Sequence, residues 1–325
     1  MFNNKAILIT GGTGSWGHEL TKQLLEKYNP KKIIIYSRGE LQQVLMKRKF
    51  NDERLHFMIG DVRSLNRLNE AMKNVDIVFH LAALKHIPIC EENSWESVNT
   101  NIIGVENVIR SAITNKVETV CDVSTDKACN PLNMYGACKS VGEKLMISAN
   151  QREGNTKFVC VRAGNVIGSN GSIIPFFEEL AKENKPLPIT NINMTRYFMT
   201  LPQAISLVFE AMDKSVGGEI FVTKMPAMFI GDLAKVIWMK YASDVFTYKD
   251  IGTRPGEKIH EMLVSEHESK RTVEDAHFRI ILPEDGKYSA LSKLPKMKEK
   301  EYISNQETLD LNNIKKLLEG AGCLK

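Results

Sequence analysis

The sequence has no long hydrophobic run and no strong excess of one charge. No apolar segment approaches the roughly 18 residues of a membrane-spanning helix, so no transmembrane span is expected. The 43 basic and 39 acidic residues are interspersed and give a net charge of +4, which argues against a nucleic-acid-binding protein. The first apolar stretch is shorter than the roughly 7–15-residue core of a signal peptide. We therefore expect a cytoplasmic protein.

Patterns typical of metal sites and disulfides are also missing. The six cysteines include no C-x-x-C pair, and the seven histidines form no H-x-x-x-H or H-E-x-x-H pattern, so no metal site is expected. In a reducing compartment we expect free thiols. The 325 residues, 43% of them hydrophobic, suffice for a large core in one large or two small domains.

The first half of the chain alternates short apolar runs with stretches of helical pattern. The runs cover residues 6–10, 32–36, 55–59, 77–81, 119–123 and 158–161. Several are near-continuous Ile, Val and Leu, which is typical of strands buried on both faces. Amphipathic stretches such as 15–27 and 95–112 lie between them. This order predicts an α/β fold with a doubly wound parallel sheet.

The pattern loosens after about residue 165. Residues 164–172 are rich in Gly, Asn and Ser and predict a loop. Helices are expected at 175–184 and 202–213, and a turn with a late strand at 216–222. This half is expected to form a smaller lobe that is interleaved with the first domain.

A glycine-rich segment connects the first predicted strand to the first predicted helix. It reads Thr10-Gly11-Gly12-Thr13-Gly14-Ser15-Trp16-Gly17. In this context Gly11 allows a tight turn, Gly14 lets the backbone approach a pyrophosphate, and Gly17 lets helix and sheet pack closely. The N–H groups of the helix N-terminus would face the phosphates. We therefore predict a Rossmann-type dinucleotide-binding domain over residues 1–165 and a substrate-binding lobe over residues 166–325.

The end of the second predicted strand bears on the choice of cofactor. A carboxylate there binds the ribose 2′-OH of NAD, whereas an arginine suits the 2′-phosphate of NADP. Ser37 and Arg38 occupy this position and favour NADP, while Glu40 follows slightly late and leaves NAD open. The other expected cofactor contacts follow the third and fourth strands and are Asp61, Val62, Ala82 and Ala83.

A hydroxyl residue, a tyrosine and a lysine form a candidate catalytic group. Thr125 follows the fifth predicted strand, and Tyr135 and Lys139 follow on a helix expected over 135–151. At the spacing i, i+4 the last two share one helix face. A nearby ammonium and a cationic nicotinamide lower the pKa of a tyrosine and favour its phenolate, which can act as a base. The same helix is expected to bury Val141, Leu145 and Met146.

Together these segments resemble the extended short-chain dehydrogenase/reductase superfamily, and within it the inverting UDP-N-acetylglucosamine 4,6-dehydratases. The resemblance rests on Ser124-Thr125-Asp126-Lys127 and on Tyr135-Gly136 with Lys139, and it extends from about residue 5 to about residue 285. Further similar segments are 164–169, 171–172, 175–177, 194–200 and 254–258. Gly39 and Ala163 depart from the family, which usually has an acid and a tyrosine there.

The resemblance implies an NADP-dependent lyase that acts on UDP-N-acetylglucosamine. Its implied substrate-binding residues are Lys85, Asn165, Arg196, Arg254 and Glu257, and Lys85 is also implied at the cofactor. It further implies a homodimer or higher oligomer, in which the helices at 95–112 and 135–151 pair across a twofold axis.

Asp126 and Lys127 carry the implied reaction type, because retaining dehydratases have Asp-Glu here and a C4 epimerase needs no such pair. The resemblance implies that Tyr135 starts C4 oxidation, that a neutral Lys127 removes the C5 proton, and that a protonated Asp126 helps the C6 hydroxyl leave as water. Hydride then returns to C6, giving UDP-2-acetamido-2,6-dideoxy-β-L-arabino-hexos-4-ulose. Proximity to Lys139 and to a nicotinamide cation is expected to keep Lys127 neutral. A UDP-sugar C4 epimerase of the same superfamily is the alternative.

Overall fold

A computed structural model describes residues 1–168, 173–284 and 290–324. Its strands are β1 (Ala6–Thr10), β2 (Lys32–Ser37), β3 (Leu55–Ile59), β4 (Ile77–His80), β5 (Thr119–Thr125), β6 (Lys157–Ala163), β7 (Asn165–Ile167), β8 (Leu187–Ile189), β9 (Thr195–Thr200), β10 (Ile220–Thr223), β11 (Ala227–Phe229), β12 (Tyr248–Asp250), β13 (Met262–Val264), β14 (Thr272–Glu274), β15 (Phe278–Ile281) and β16 (Tyr302–Ile303). Its helices are α1 (Ser15–Lys27), α2 (Glu40–Phe50), α3 (Leu65–Ala71), α4 (Ile87–Glu92), α5 (Ser94–Val98), α6 (Gly104–Thr114), α7 (Met134–Ala149), α8 (Ile173–Lys182), α9 (Leu201–Lys214), α10 (Ile230–Tyr241), α11 (Glu266–Ser269) and α12 (Leu311–Gly320).

The central sheet has nine strands within the described residues, in the order β14-β15-β10-β6-β5-β4-β1-β2-β3. Strands β1 to β6 and β10 run parallel, and β15 is antiparallel to both of its neighbours. In the inner strands the apolar residues are buried on both faces, as in β1, where every residue is buried, whereas the edge strand β3 exposes Ile59. The predicted doubly wound α/β fold is confirmed, with three strands contributed by the second half of the chain.

Helices cover both faces of this sheet. On one face α3, α6 and α7 pack through Leu68, Val108 and Met146, and on the other α1 and α9 pack through Leu24 and Met212. Because both faces are covered, the carboxyl ends of the parallel strands remain as the place where a ligand can reach several strands at once.

A separate apolar core marks the second lobe. Phe177 of α8, Trp238 of α10 and Ile314 of α12 meet there. The lobe also holds a small sheet in the order β11-β9-β7. The predicted loop at 164–172 was therefore partly wrong, because β7 pairs with β9 in this segment; residues 169–172 lie outside the described part. The division at residues 165 and 166 stays a prediction.

The helix predicted over residues 95–112 is interrupted. A π-helical turn, Asn99–Ile103, separates α5 from α6. Inside this turn the buried Asn101 accepts a hydrogen bond from the backbone N–H of Leu84 at 2.9 Å and donates one to its carbonyl at 2.8 Å. Such π-turns often occur at functional sites, and this one fixes the segment that follows β4.

The prediction for the buried face of α7 was also partly wrong. Met146 is buried as predicted, but Val141 is 40% exposed. The buried positions instead include two charged residues, Lys139 and Glu143. Each forms a buried ion pair, with Asp122 and with Arg162 respectively. The hydrophobic pattern alone predicted the wrong buried residues for α7, because paired charged residues occupy part of the helix face that points to the core.

The expectations about thiols, metals and membranes can be compared with the described residues. Five cysteines, at 90, 121, 129, 138 and 160, are buried thiols. Within residues 1–168, 173–284 and 290–324, no cluster of His, Cys, Asp and Glu has a metal-binding arrangement. In the same part of the chain, no helix combines the length and the apolar character that a membrane span requires.

Candidate active site

One large cavity of about 1440 Å³ opens at the carboxyl ends of β1, β2, β4 and β5. It is lined by all of the residues predicted for the cofactor, the substrate and catalysis except Gly17 and Asp126. These two lie directly behind the lining, Gly17 under the glycine loop and Asp126 beneath Lys127. The fold thus brings together residues that are up to 246 positions apart, from Gly11 to Glu257.

The glycine loop has the close contacts that a dinucleotide-binding turn requires. Gly11 has a φ of +66°, and a Cβ there would lie 2.8 Å from the backbone nitrogen of Ala82. A Cβ on Gly17 would lie 2.1 Å from the carbonyl oxygen of Gly12. Gly14 is the N-cap of α1 and lines the cavity. The N-terminus of α1 therefore meets the cavity at a residue without a side chain, and this cradle fits a diphosphate.

The end of β2 offers a hydroxyl and a guanidinium to the same cavity. Ser37 Oγ accepts a hydrogen bond from Gln43 Nε2 at 3.0 Å, so its own O–H is oriented as a donor. Arg38 follows as an exposed residue on the cavity wall. Asp61, by contrast, is engaged by Arg63, whose Nη2 lies 2.6 Å from Asp61 Oδ2.

Tyr135 and Lys139 lie on one face of α7 and both line the cavity. Burial raises the pKa of the Tyr135 phenol, whereas Lys139, Lys127 and a hydrogen bond with Thr125 lower it. The net effect leaves this pKa above its ordinary value. The ammonium groups act in the predicted direction, but desolvation of the phenolate is the larger effect.

Beside this pair lies a buried cluster of opposite charges. Lys127 Nζ is 2.9 Å from Asp126 Oδ1 and 3.6 Å from Glu261 Oε1. Thr125 donates to the same Asp126 oxygen at 2.8 Å. Asp126 and Glu261 are only 1% and 2% exposed. Asp126 Oδ2 and Glu261 Oε2 have no hydrogen-bond partner among the described residues, so both carboxylates can accept a further donor.

The charges of this cluster correct the prediction that Lys127 is neutral. Burial lowers the pKa of Lys127, but the carboxylates of Asp126 and Glu261 raise it further, and the net value lies above the ordinary one. Burial raises the pKa of Asp126, but the Lys127 ammonium and the Thr125 hydroxyl outweigh it and hold it low. Lys127 and Asp126 therefore form an ion pair. The prediction considered the repelling charges of Lys139 and of a nicotinamide cation and missed Glu261.

Comparison with known proteins agrees with this geometry. Residues 7–283 match the family described as "Polysaccharide biosynthesis protein". A Campylobacter jejuni relative named "UDP-N-acetylglucosamine 4,6-dehydratase (inverting)" is 48% identical over 286 residues, which cover 87% of this chain and 84% of that protein. The chain belongs to the polysaccharide biosynthesis protein family. The predicted membership of the extended short-chain dehydrogenases/reductases is thereby confirmed.

Two other proteins match over nearly the whole chain. A Rickettsia bellii protein named "UDP-glucose 4-epimerase" is 42% identical over 335 residues, covering 98% of this chain and 96% of that protein. The solved structure described as Pen from Bacillus thuringiensis is 37% identical, with a TM-score of 0.91, and covers 98% of this chain and 99% of its own.

The residues implied for substrate binding divide into two kinds. Arg254 and Lys85 are exposed on the cavity wall, and Asn165 and Glu257 are partly exposed there. Arg196 is 8% exposed, and its guanidinium donates to the carbonyls of Thr195, Lys258 and Ile259. Since those donors are occupied, Arg254 is better placed than Arg196 to bind a diphosphate.

Two buried carboxylates of this site were missed in the sequence. Glu261 follows the segment 254–258, and nothing in its surroundings in the sequence signals burial. Asp122 lies inside an apolar run and is fully buried. A lone acid within a predicted central strand indicates a buried partner, and that signal would have pointed to Lys139.

Proposed function

We propose that this chain is a UDP-N-acetylglucosamine 4,6-dehydratase that inverts the configuration at C5. The observation that carries the proposal is the buried Asp126–Lys127 pair, with Glu261 behind it, in the cavity that also contains Tyr135 and Lys139. Such a pair supplies one base and one acid beside the oxidising group, as an elimination requires. The name of the Campylobacter relative supports the same reaction.

The cradle at Gly11, Gly14 and the N-terminus of α1 would hold the diphosphate of a nicotinamide dinucleotide, and Ser37 and Arg38 would hold its ribose 2′-phosphate. When bound, such a cofactor supplies the oxidant for C4 and the reductant for C6. This chain's own residues then have to move three protons. Two are removed from the sugar, at the C4 hydroxyl and at C5, and one is delivered to the C6 hydroxyl as it leaves.

We assign the first of these protons to Tyr135. Its phenolate accepts the C4 hydroxyl proton, and Thr125 orients that hydroxyl. The same proton can later be given to C5 from the face opposite Lys127, which inverts C5 and regenerates the phenolate. Tyr135 is therefore unchanged after one turnover.

The other two protons pass through the Lys127–Asp126 pair. A proton that crosses their 2.9 Å hydrogen bond converts the ion pair into an amine and a carboxylic acid. Desolvation of the cavity by a substrate favours this neutral form. Lys127 then takes the C5 proton, and Asp126 gives its proton to the C6 hydroxyl, which leaves as water. The ion pair is restored, and the net change is the loss of one water.

A UDP-sugar C4 epimerase is the second candidate, because the Rickettsia relatives that match over 98% of the chain carry that name. An epimerase needs the base at C4 but no acid–base pair at C5 and C6. Desolvating Asp126, Lys127 and Glu261 is costly, and only elimination gives these residues a role.

Incubation with UDP-N-acetylglucosamine in D₂O, followed by NMR of the product, separates the two functions. A dehydratase gives a 4-keto-6-deoxy sugar with deuterium at C5 and L-arabino configuration. An epimerase gives a 4-hydroxy sugar that still has hydrogen at C5, and this result would overturn the proposal.

Arg38→Ala is expected to weaken NADP binding by about 10- to 100-fold and to leave NAD binding nearly unchanged, since a hydrogen bond to a charged group contributes roughly 1.5–3 kcal/mol. Titration calorimetry with both cofactors measures this. Arg48→Ala removes an arginine from α2 outside the cavity and serves as the control. Equal losses of NADP and NAD affinity for Arg38→Ala would contradict the assignment of NADP.

We also propose at least a homodimer, formed in a reducing, cytoplasmic environment. Neighbouring helices α4, α5 and α7 expose Ile89, Trp95 and Val141 at 50%, 69% and 40%, and such a patch is typical of an interface. Trp95→Glu is expected to weaken self-association at least about tenfold, as measured by light scattering. Met239→Glu, at a 74% exposed site on α10, is the matched control. A wild-type monomer at micromolar concentration would refute the dimer.

A further inference from the structure

A second buried ion pair lies under the catalytic tyrosine and has no role in the proton transfers above. Lys139 Nζ is 3.0 Å from Asp122 Oδ2 and 3.2 Å from Asp122 Oδ1. Asp122 is fully buried on β5, and Lys139 is 3% exposed. The Asp122 carboxylate thus holds the Lys139 ammonium, which lies on the same helix face as Tyr135, by two hydrogen bonds.

The groups around this pair are either uncharged or already paired. In the sheet, Asp122 is the register neighbour of His80 on β4 and of Cys160 on β6. Burial, with the Lys139 charge, lowers the pKa of His80 to about 3, and burial raises that of the Cys160 thiol, so both are neutral. The other charged groups near Lys139 and Tyr135 are Lys127 with Asp126, and Glu143 with Arg162.

Asp122 is therefore the anion that compensates Lys139. Burial lowers the pKa of Lys139, and Asp122 raises it above the ordinary value. Burial raises the pKa of Asp122 while Lys139 opposes this change. Because the charge of Lys139 favours the Tyr135 phenolate, an anion that offsets this charge makes loss of a proton from the Tyr135–Lys139 pair harder.

We propose that Asp122 is a positioning residue that holds the Lys139 ammonium under Tyr135 and sets how readily the Tyr135–Lys139 pair releases its proton. It touches neither substrate nor cofactor in this role. The inference rests on the oxidation step of the proposed function, and not on the elimination that follows.

Asp122→Asn keeps the shape of the side chain and removes its charge. Loss of the buried Asp122 anion favours deprotonation of Tyr135 and of Lys139 alike. The acidic limb of the pH profile for single-turnover cofactor reduction is therefore expected to move about one unit to lower pH. NMR titration of cofactor-free protein labelled at tyrosine Cζ and lysine Cε, assigned with Tyr135→Phe and Lys139→Met, measures the same change. The first titration midpoint of the Tyr135–Lys139 pair should also fall by about one pH unit.

Glu118→Gln is the matched control, because Glu118 pairs with Lys5 at 2.5 Å just before the other end of β5. Its profile should remain at the wild-type position. If Asp122→Asn does not fold, Asp122→Ser, which keeps an acceptor but no charge, takes its place with the same expected shift.

An unchanged or raised midpoint in the Asp122 variant would overturn the proposal, since a merely structural role lowers the plateau without moving the midpoint. Failure of the wild-type protein to reduce its cofactor with UDP-N-acetylglucosamine would instead overturn the proposed function. The NMR midpoints would still test Asp122 in that case.

Discussion

Lys127→Ala is expected to oxidise the sugar at C4 and then to stop. The C4 proton goes to Tyr135, which this variant retains, so reduced cofactor should form and accumulate. Loss of the base that acts on C5 should slow elimination by about 10²- to 10⁴-fold, the usual contribution of a general base. Single-turnover absorbance of the reduced nicotinamide, together with C5 exchange in D₂O followed by NMR, measures the two steps separately.

Two further variants separate the roles of charge and base in this experiment. Tyr135→Phe should block cofactor reduction itself, because no group then accepts the C4 hydroxyl proton. Lys127→Arg keeps the positive charge beside Asp126 but cannot become a neutral base, so it should also fail to eliminate water. If Lys127→Ala exchanges its C5 hydrogen at the wild-type rate, Lys127 is not the base and the inverting outcome needs another explanation.

Arg162→Met is expected to lower the free energy of unfolding by about 3–5 kcal/mol, because it leaves buried carboxylates without a counterion. Arg162 Nη2 lies 2.6 Å from Glu143 Oε2 and 2.9 Å from Glu268 Oε1. Its Nη1 donates to the carbonyl of Leu263 at 2.6 Å. This one side chain joins α7, which carries Tyr135, to the segment of the second half around β13 and α11. Urea denaturation of wild type and variant measures the change.

Arg152→Met is the matched control, since Arg152 forms a two-pronged pair with Glu106 at 2.9 Å on the surface. An exposed pair contributes at most about 1 kcal/mol, so equal losses for the two variants would contradict the prediction.

The buried pair between Arg162 and Glu268 also predicts that the protein loses stability in acid. Burial raises the pKa of Glu268, but Arg162 lowers it more, to about 2. Its contribution is complete above the ordinary value of 4.5 and disappears as the pH falls toward 2.

The sequence by itself determined the fold class and most of the cavity lining. Strands such as Ala6–Thr10 and Lys32–Ser37 lie where they were predicted, within one residue, because their runs of apolar, mainly β-branched residues are stable inside a covered parallel sheet. The glycine spacing predicted the tight loop before α1, because close backbone approaches exclude a Cβ at Gly11 and Gly17. The spacing of Tyr135 and Lys139 placed both on one helix face, because helix geometry is local.

Only the tertiary structure decided the charge states of the site. Lys127 is an ammonium because Asp126 and Glu261, which are 135 residues apart in the chain, both reach it. Lys139 and Glu143 are buried on α7 because Asp122 and Arg162 lie opposite them. Hydrophobic periodicity is a property of neighbours in the chain, whereas the pKa of a buried group depends on charges within a few ångströms in space. Those charges come from distant segments that only folding brings together.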